Sequence, residues 1–171
     1  IIDDILDLSK VEAGRMDIEH ICFSLPDLLK DMATLFDLRA RENSIRLELE
    51  TDHTLPKVVI SDPTRLRQIL FNVVGNAIKF TEQGEIFVGV HLVKQQENGQ
   101  LELCFEVRDT GIGISTKYLD HLYQPFSQED LNVGRNYEGN GLGLALAKRY
   151  IEKLGGSLLV DSIKGVGSTF T

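Results

Sequence analysis

Asn72-Val73-Val74-Gly75-Asn76-Ala77-Ile78-Lys79-Phe80 is the stretch on which the fold turns. It sits in a helical pattern that starts near Asp62. At about 100° per residue, Arg65, Gln68, Asn72, Asn76 and Lys79 share a stripe roughly 80° wide. Leu66, Ile69, Leu70, Val73, Ala77 and Phe80 occupy the opposite side, as a core-facing stripe does. Two amides and an ammonium in line can hold a metal ion and a polyanion. A plain solvated helix face has the same pattern, so the rest of the chain must decide.

Upstream, Asp62-Pro63 opens this helix: Asp suits the cap, and proline suits a first turn whose N–H groups have no partner inside the helix. Before it, Val58–Ile60 and the alternating Ile45, Leu47, Leu49 read as strands. Ser24, with Pro26 and Asp27, caps a second helix running to about Glu42, with Leu28, Leu29, Met32, Leu35, Phe36 and Leu38 as its core face. A short strand is expected around His20–Phe23. Residues 1–13 are helical, with Ile1, Ile5 and Leu8 widened by Ile2 and Leu6 into a face that asks for a partner helix; Ala13-Gly14 ends the run. No capping residue precedes Ile1, so this helix reads as cut in its middle.

Downstream, Thr81–Gly84 is a turn, and Glu85–Val93 and Leu101–Arg108 are strands joined by a polar hairpin. Asp109-Thr110-Gly111-Ile112-Gly113 follows directly. Then come about 25 residues of weak periodicity, long for a connection unless it is a lid or binding loop. Gly139-Asn140-Gly141-Leu142-Gly143 opens a last helix through Leu154, and Gly155-Gly156 stops it. Ser157–Ile163 and Ser168–Thr171 read as strands around the tight turn Gly165-Val166-Gly167.

Each motif has an ordinary reading beside a functional one. Gly111 and Gly113 are either a strand-to-lid turn or a place where backbone approaches a flat ligand too closely for a Cβ. Asp109 would then accept from an exocyclic amine. Gly139, Gly141 and Gly143 are either a hinge or the anion-binding start of a helix. They are neither a dinucleotide fingerprint, which needs a preceding strand and other spacing, nor a phosphate loop ending in Gly-Lys-Ser/Thr. Gly165 and Gly167 alone suit a hairpin, and Phe126 alone suits a core. His20, His53, His91 and His121 lack ligand spacing.

Their order is far more specific than any one of them. An Asn-x-x-x-Asn-x-x-Lys helix is followed by Asp-x-Gly-x-Gly, Pro125-Phe126, Gly-x-Gly-x-Gly-Leu and Gly-x-Gly-Ser-Thr-Phe. In this order the chain resembles the catalytic, ATP-binding domain of sensor histidine kinases, of the superfamily shared with gyrase, Hsp90 and MutL ATPases. The resemblance covers nearly the whole chain. Residues 1–14 look like the C-terminal end of the dimerisation-domain helix, and residues 15–171 like the catalytic domain, with a lid at about 115–139.

The resemblance implies an α+β fold: a two-layer α/β sandwich of the Bergerat type, with a mixed sheet, helices on one face and an ATP lid. It implies ATP and Mg²⁺ as cofactors, with Asn72 and Asn76 in the asparagine box, Asn76 as the metal ligand and Lys79 on phosphate. Asp109 would bind the adenine amine while Gly111 and Gly113 admit the base. Phe126 and Arg135 belong to the lid, Gly139, Gly141 and Gly143 wrap the triphosphate, and Ser168 or Thr169 assists at adenine. Glu138 stands where the family has a small residue. The γ-phosphoryl acceptor would be a histidine of a His-Glu/Asp motif, which this chain lacks. Asn72 stands where related ATPases carry a water-activating glutamate, and an amide is no general base. Transfer to histidine is therefore expected over hydrolysis. The same scaffold also serves non-catalytic nucleotide sensors and anti-sigma-type serine kinases. Implied partners are its own dimerisation domain, in a homodimer, and a response regulator or fused receiver domain.

Composition narrows the field. The formal charge of −8 and pI near 5.0 over 171 residues argue against a nucleic-acid surface. No run of about 18 apolar residues suits a membrane span, so attachment would come only through the parent protein. Cys22 and Cys104 are expected as buried free thiols in a reducing, cytoplasmic compartment.

Overall fold

A computed structural model describes residues 2–129 and 140–171 of the chain. The elements in order are α1 (Ile2–Glu12), β1 (Ile21–Ser24), α2 (Leu25–Glu42), β2 (Ile45–Thr51), β3 (Val58–Ser61), α3 (Pro63–Phe80), β4 (Gly84–Gln95), β5 (Leu101–Asp109), α4 (Thr116–Leu119), α5 (Gly143–Lys153), β6 (Val160–Ile163) and β7 (Gly167–Phe170). A five-stranded sheet has the order β2-β4-β5-β7-β6. Only β2 and β4 pair in parallel, so the sheet is mixed. β1 and β3 form a separate antiparallel pair.

Alternation on the central strands sets the layers. Ile86, Val88 and Val90 of β4 and Val107 of β5 are buried toward the helices. Arg46, Glu48 and Glu50 of β2 and Arg108 of β5, one position out of phase, are exposed on the other face. The helices therefore cover one face, as expected. Leu146, Ala147 and Tyr150 of α5 meet Ile69, Leu70, Val73 and Ala77 of α3 in one continuous core. A fully buried leucine such as Leu146 contributes about 2 kcal/mol.

The predicted caps form. Ser24 Oγ accepts from Asp27 N at 3.2 Å, and Asp62 Oδ1 accepts from Thr64 N and Arg65 N, each at 3.0 Å. Asp62 Oδ2 also accepts from Glu19 N, which ties the segment after α1 to the start of α3.

Several side chains depart from the sequence expectation. Leu35 and Leu38 of α2 are exposed; its buried face is Leu25, Leu28, Leu29, Met32, Phe36 and Ala40. On α1, Leu8 and Val11 are buried, while Ile2, Ile5 and Leu6 are exposed, so the helix uses only part of its apolar face. Cys22 is exposed, not buried: its register partner is Ile60, itself 70% exposed, while the neighbouring pair Phe23–Val59 faces inward. Cys104 is half-buried opposite His91, and burial together with Glu106 pushes its thiol pKa up. Strand β6 starts at Val160 rather than Ser157, and the short helix α4, capped by Ser115 Oγ, was not foreseen.

Candidate functional site

The polar stripe of α3 divides in two. At its N-terminal end, Arg65 and Gln68 turn to α1. Asp7 Oδ2 accepts from Tyr150 OH at 2.9 Å, Arg65 Nη1 at 3.0 Å and Gln68 Nε2 at 3.2 Å. Arg65 also lies over the Tyr150 ring, 5.0 Å from its centroid. These two stripe residues are structural. Asn72, Asn76 and Lys79, further along, are half-buried. Lys79 Nζ sits 4.7 Å from the Phe80 ring centroid, and burial lowers its pKa.

Asn72 meets a motif seventy residues away. A Cβ on Gly143 would stand 3.1 Å from Asn72 Oδ1, closer than most side chains tolerate. The glycine lets the amide lie against the first turn of α5. That helix has Leu142 at its N-cap position and no side-chain cap. Its leading N–H groups are the kind that bind anions. Asn140 Oδ1 accepts from Leu142 N and shapes the approach to the helix, while Asn140 Nδ2 donates to Asp4.

Asp109 ends β5 and is 7% exposed. Its Oδ1 accepts from Gly111 N at 2.9 Å. Burial raises its pKa, against the opposing pull of the Gly111 and Ser168 backbone N–H groups. The turn after it is wedged into the protein. A Cβ on Gly111 would run into Phe80 O and come within 2.9 Å of Thr81 Oγ1; one on Gly113 would strike Ile163 O. The sequence reading gave these glycines to ligand approach. Their contacts here are with protein backbone, and they seat the Asp109 turn between the end of α3 and the end of β6.

Ser168 pairs with Asp109 in the β5–β7 register and is buried. Ser162 Oγ donates to Gly167 O and accepts from Ile114 N, so in the 2.9 Å contact between Ser162 Oγ and Ser168 Oγ the donor is Ser168. Thr169, one residue on, pairs with Arg108 and Asp161 and so belongs to the opposite face of β7. The structure does not bring it to Asp109.

Phe126 is 62% exposed with φ of 63°, and its N–H donates to Gly141 O at 3.1 Å. Gly141, at φ of 68°, packs against Ser127 O, where a Cβ would stand 2.7 Å away. Residues 126 and 141 thus close the base of the connection. Arg135, Glu138 and Gly139 lie outside the described residues.

Sequence reasoning missed Ser162, which ties the turn after Asp109 to β7, and Glu129. Glu129 accepts from Ser115 N at 3.0 Å and from Lys164 Nζ at 2.9 Å. Neither carries a spacing signal, because Glu129 reaches Ser115 and Lys164, and Ser162 reaches Ile114, across loops and turns distant in sequence. Among the described residues, no three His, Cys, Asp or Glu side chains cluster as a metal site, and no helix is long and apolar enough to cross a membrane.

Comparison with known proteins supplies the family. The profile of histidine kinase-, DNA gyrase B-, and HSP90-like ATPases matches residues 61–171. The chain is 42% identical over 170 residues to the sensor histidine kinase GacS of Pseudomonas protegens, covering 99% of this chain and 18% of that protein. To the signal transduction histidine-protein kinase BarA of Escherichia coli it is 39% identical over 170 residues, with the same coverage of 99% and 18%. It therefore spans under a fifth of the length of these curated relatives. The crystal structure of full-length ShkA in complex with AMPPNP matches with a TM-score of 0.81 at 31% identity, over 99% of this chain and 34% of that one. The nucleotide-free catalytic domain of the histidine kinase ThkA matches at 0.70 and 26% identity, over 91% and 93%. The chain belongs to the family of histidine kinase-, DNA gyrase B-, and HSP90-like ATPases, as an ATP-binding domain of the kind that sensor histidine kinases carry.

Proposed function

We propose that this chain binds Mg-ATP in the groove between α3, the Asp109 turn and the start of α5, and serves as the phosphoryl-donating domain of a protein-histidine kinase. The observation that carries the reading is the seating of the Asn72 amide against Gly143 at an uncapped helix N-terminus. It joins the asparagine helix to the glycine run in one place. In this reading Asp109, on the turn that Gly111 and Gly113 seat against the protein, accepts from the adenine amine. Lys79 and the N–H groups of Gly141 and Gly143 face the phosphates, while Leu142 N is held by Asn140 Oδ1. Ser168 supports the base side, and Phe126 and Arg135 belong to the lid. Bound Mg²⁺ would neutralise charge on the phosphate oxygens. It takes few protein ligands and keeps waters, so one amide oxygen, from Asn76, suits it and no carboxylate cluster is needed.

Residues 1–14 are the end of a dimerisation helix and residues 15–171 the catalytic domain. The phosphoacceptor histidine, the homodimer contacts and the response regulator or receiver domain belong to the parent protein, as does any membrane attachment. The relatives' printed names, a sensor histidine kinase and a signal transduction histidine-protein kinase, support a histidine-kinase parent.

Calorimetric titration with a non-hydrolysable ATP analogue, with and without Mg²⁺, tests the site: saturable, Mg²⁺-enhanced binding is expected, and no binding leaves a scaffold alone. ATP turnover tests Asn72. Hydrolysis at the rate of a dedicated ATPase, abolished by Asn76→Ala, would contradict transfer to histidine.

A further inference from the structure

Thr81 follows α3 directly and is 2% exposed. Its Oγ1 is one of two buried side-chain polar atoms among the described residues with no hydrogen-bond partner. Buried hydroxyls are almost always paired with protein or with an ordered water, because an unpaired one costs free energy. The side chain has a defined direction. Its methyl Cγ2 lies 3.9 Å from where a Cβ on Gly84 would be, and Oγ1 lies 2.9 Å from where a Cβ on Gly111 would be. The hydroxyl therefore faces the back of the Asp109–Gly111 turn. The nearby Phe80 carbonyl already accepts from Ile112 N at 3.1 Å. Gly111 N in turn donates to Asp109 Oδ1. An orphan hydroxyl, a glycine with no room for a side chain, and the recognition carboxylate are thus contiguous.

We propose that Thr81 is a positioning residue for base recognition: across one ordered water behind the 109–111 turn, its hydroxyl supports Asp109 as acceptor for the exocyclic amine of an adenine nucleotide. The proposal rests on the reading of Asp109 as the base contact. It gives the threonine a role distinct from helix termination, which valine would fill equally well.

The test compares the wild type, Thr81→Val and Thr81→Ser. Each is titrated with a non-hydrolysable ATP analogue and with a purine ribonucleoside triphosphate that lacks the exocyclic amine. The wild type should prefer the ATP analogue. Thr81→Val should lose about three- to tenfold in affinity for it, the range for one hydrogen bond. Binding of the amine-free nucleotide should hold, and Thr81→Ser should restore the preference. If Thr81→Val keeps the wild-type preference, or loses both affinities by the same factor, the role of Thr81 is overturned while the base site stands. A wild type that does not distinguish the two nucleotides overturns the base-site reading itself.

Discussion

Replacing Asp7 by alanine removes one acceptor from three donors at once. Asp7 Oδ2 receives Tyr150 OH, Arg65 Nη1 and Gln68 Nε2 within 3.2 Å. Tyr150 itself is fully buried. Breaking a buried ion pair by deleting one partner costs about 3–5 kcal/mol, and deleting an exposed one under about 1 kcal/mol. The Asp7 and Arg65 side chains are 17% and 21% exposed, which places this pair nearer the buried limit but short of it. The expected cost is about 2–3 kcal/mol, or a fall in Tm of about 4–12 °C for a domain of this size. Scanning calorimetry at neutral pH measures it. The effect should shrink in a Tyr150→Phe background, where one donor is already gone. The pH dependence has a fixed sign. Burial raises the Asp7 pKa, but the bonds from Tyr150, Gln68 and Arg65 together outweigh it and leave it lowered. A depressed carboxyl stabilises the fold above its unfolded pKa and loses that contribution as pH falls through its folded pKa. The gap between wild type and Asp7→Ala should therefore close only in acid, below the ordinary aspartate range. A variant melting within about 1 °C of wild type at neutral pH would mean that the Asp7 cluster does not hold α1 to the domain.

Two glycines should respond in opposite ways. A Cβ on Gly75 meets nothing within 4 Å, so Gly75→Ala should stabilise α3 by about 0.5–1 kcal/mol, read as a higher Tm. Gly111→Ala drives a methyl into Phe80 O and should cost about 1–3 kcal/mol and weaken nucleotide binding, seen by calorimetry of both unfolding and binding. Asp109, its pKa raised by burial, should lose its strength as an acceptor as pH falls through that raised value. Affinity for an ATP analogue should then drop on acidification more in wild type than in Asp109→Asn, which cancels the titration of the phosphates. Over the same window the Asp109 contribution to stability should rise, because a buried carboxyl destabilises the fold when ionised. Asn76→Ala should remove the Mg²⁺-dependent part of the affinity, about tenfold, leaving Mg²⁺-free binding in place.

What the sequence disclosed follows from how local each feature is. Asp62-Pro63 and Ser24 announced their helices because capping is decided within four residues. The glycine runs were visible as motifs, but their reasons were not. Gly111 is required by Phe80 O, thirty residues away, and Gly143 by Asn72. The polar stripe of α3 looked uniform, yet Arg65 and Gln68 are committed to Asp7 on α1 and only Asn72, Asn76 and Lys79 remain for a ligand. Periodicity named Leu35 and Leu38 as core, although at about 100° per residue they fall to one side of the buried line Leu25, Leu29, Met32, Phe36 and Ala40, and both are exposed. Cys22 failed for a similar reason: in a two-stranded pair one face has no covering layer, and its partner Ile60 shares that exposure. The parallel pairing of β2 with β4 and the isolation of β1 with β3 are set by crossovers that no local pattern encodes.

The proposed function requires that the asparagine helix, the Asp109 turn and the start of α5 form a single nucleotide site. Amide NMR during titration with a non-hydrolysable ATP analogue and Mg²⁺ tests it directly. Saturable shifts confined to three stretches, residues 72–81, 109–113 and 141–145, together with Ser168, all fitting one dissociation constant, are expected. Shifts centred elsewhere, or these stretches responding with different constants, would contradict it.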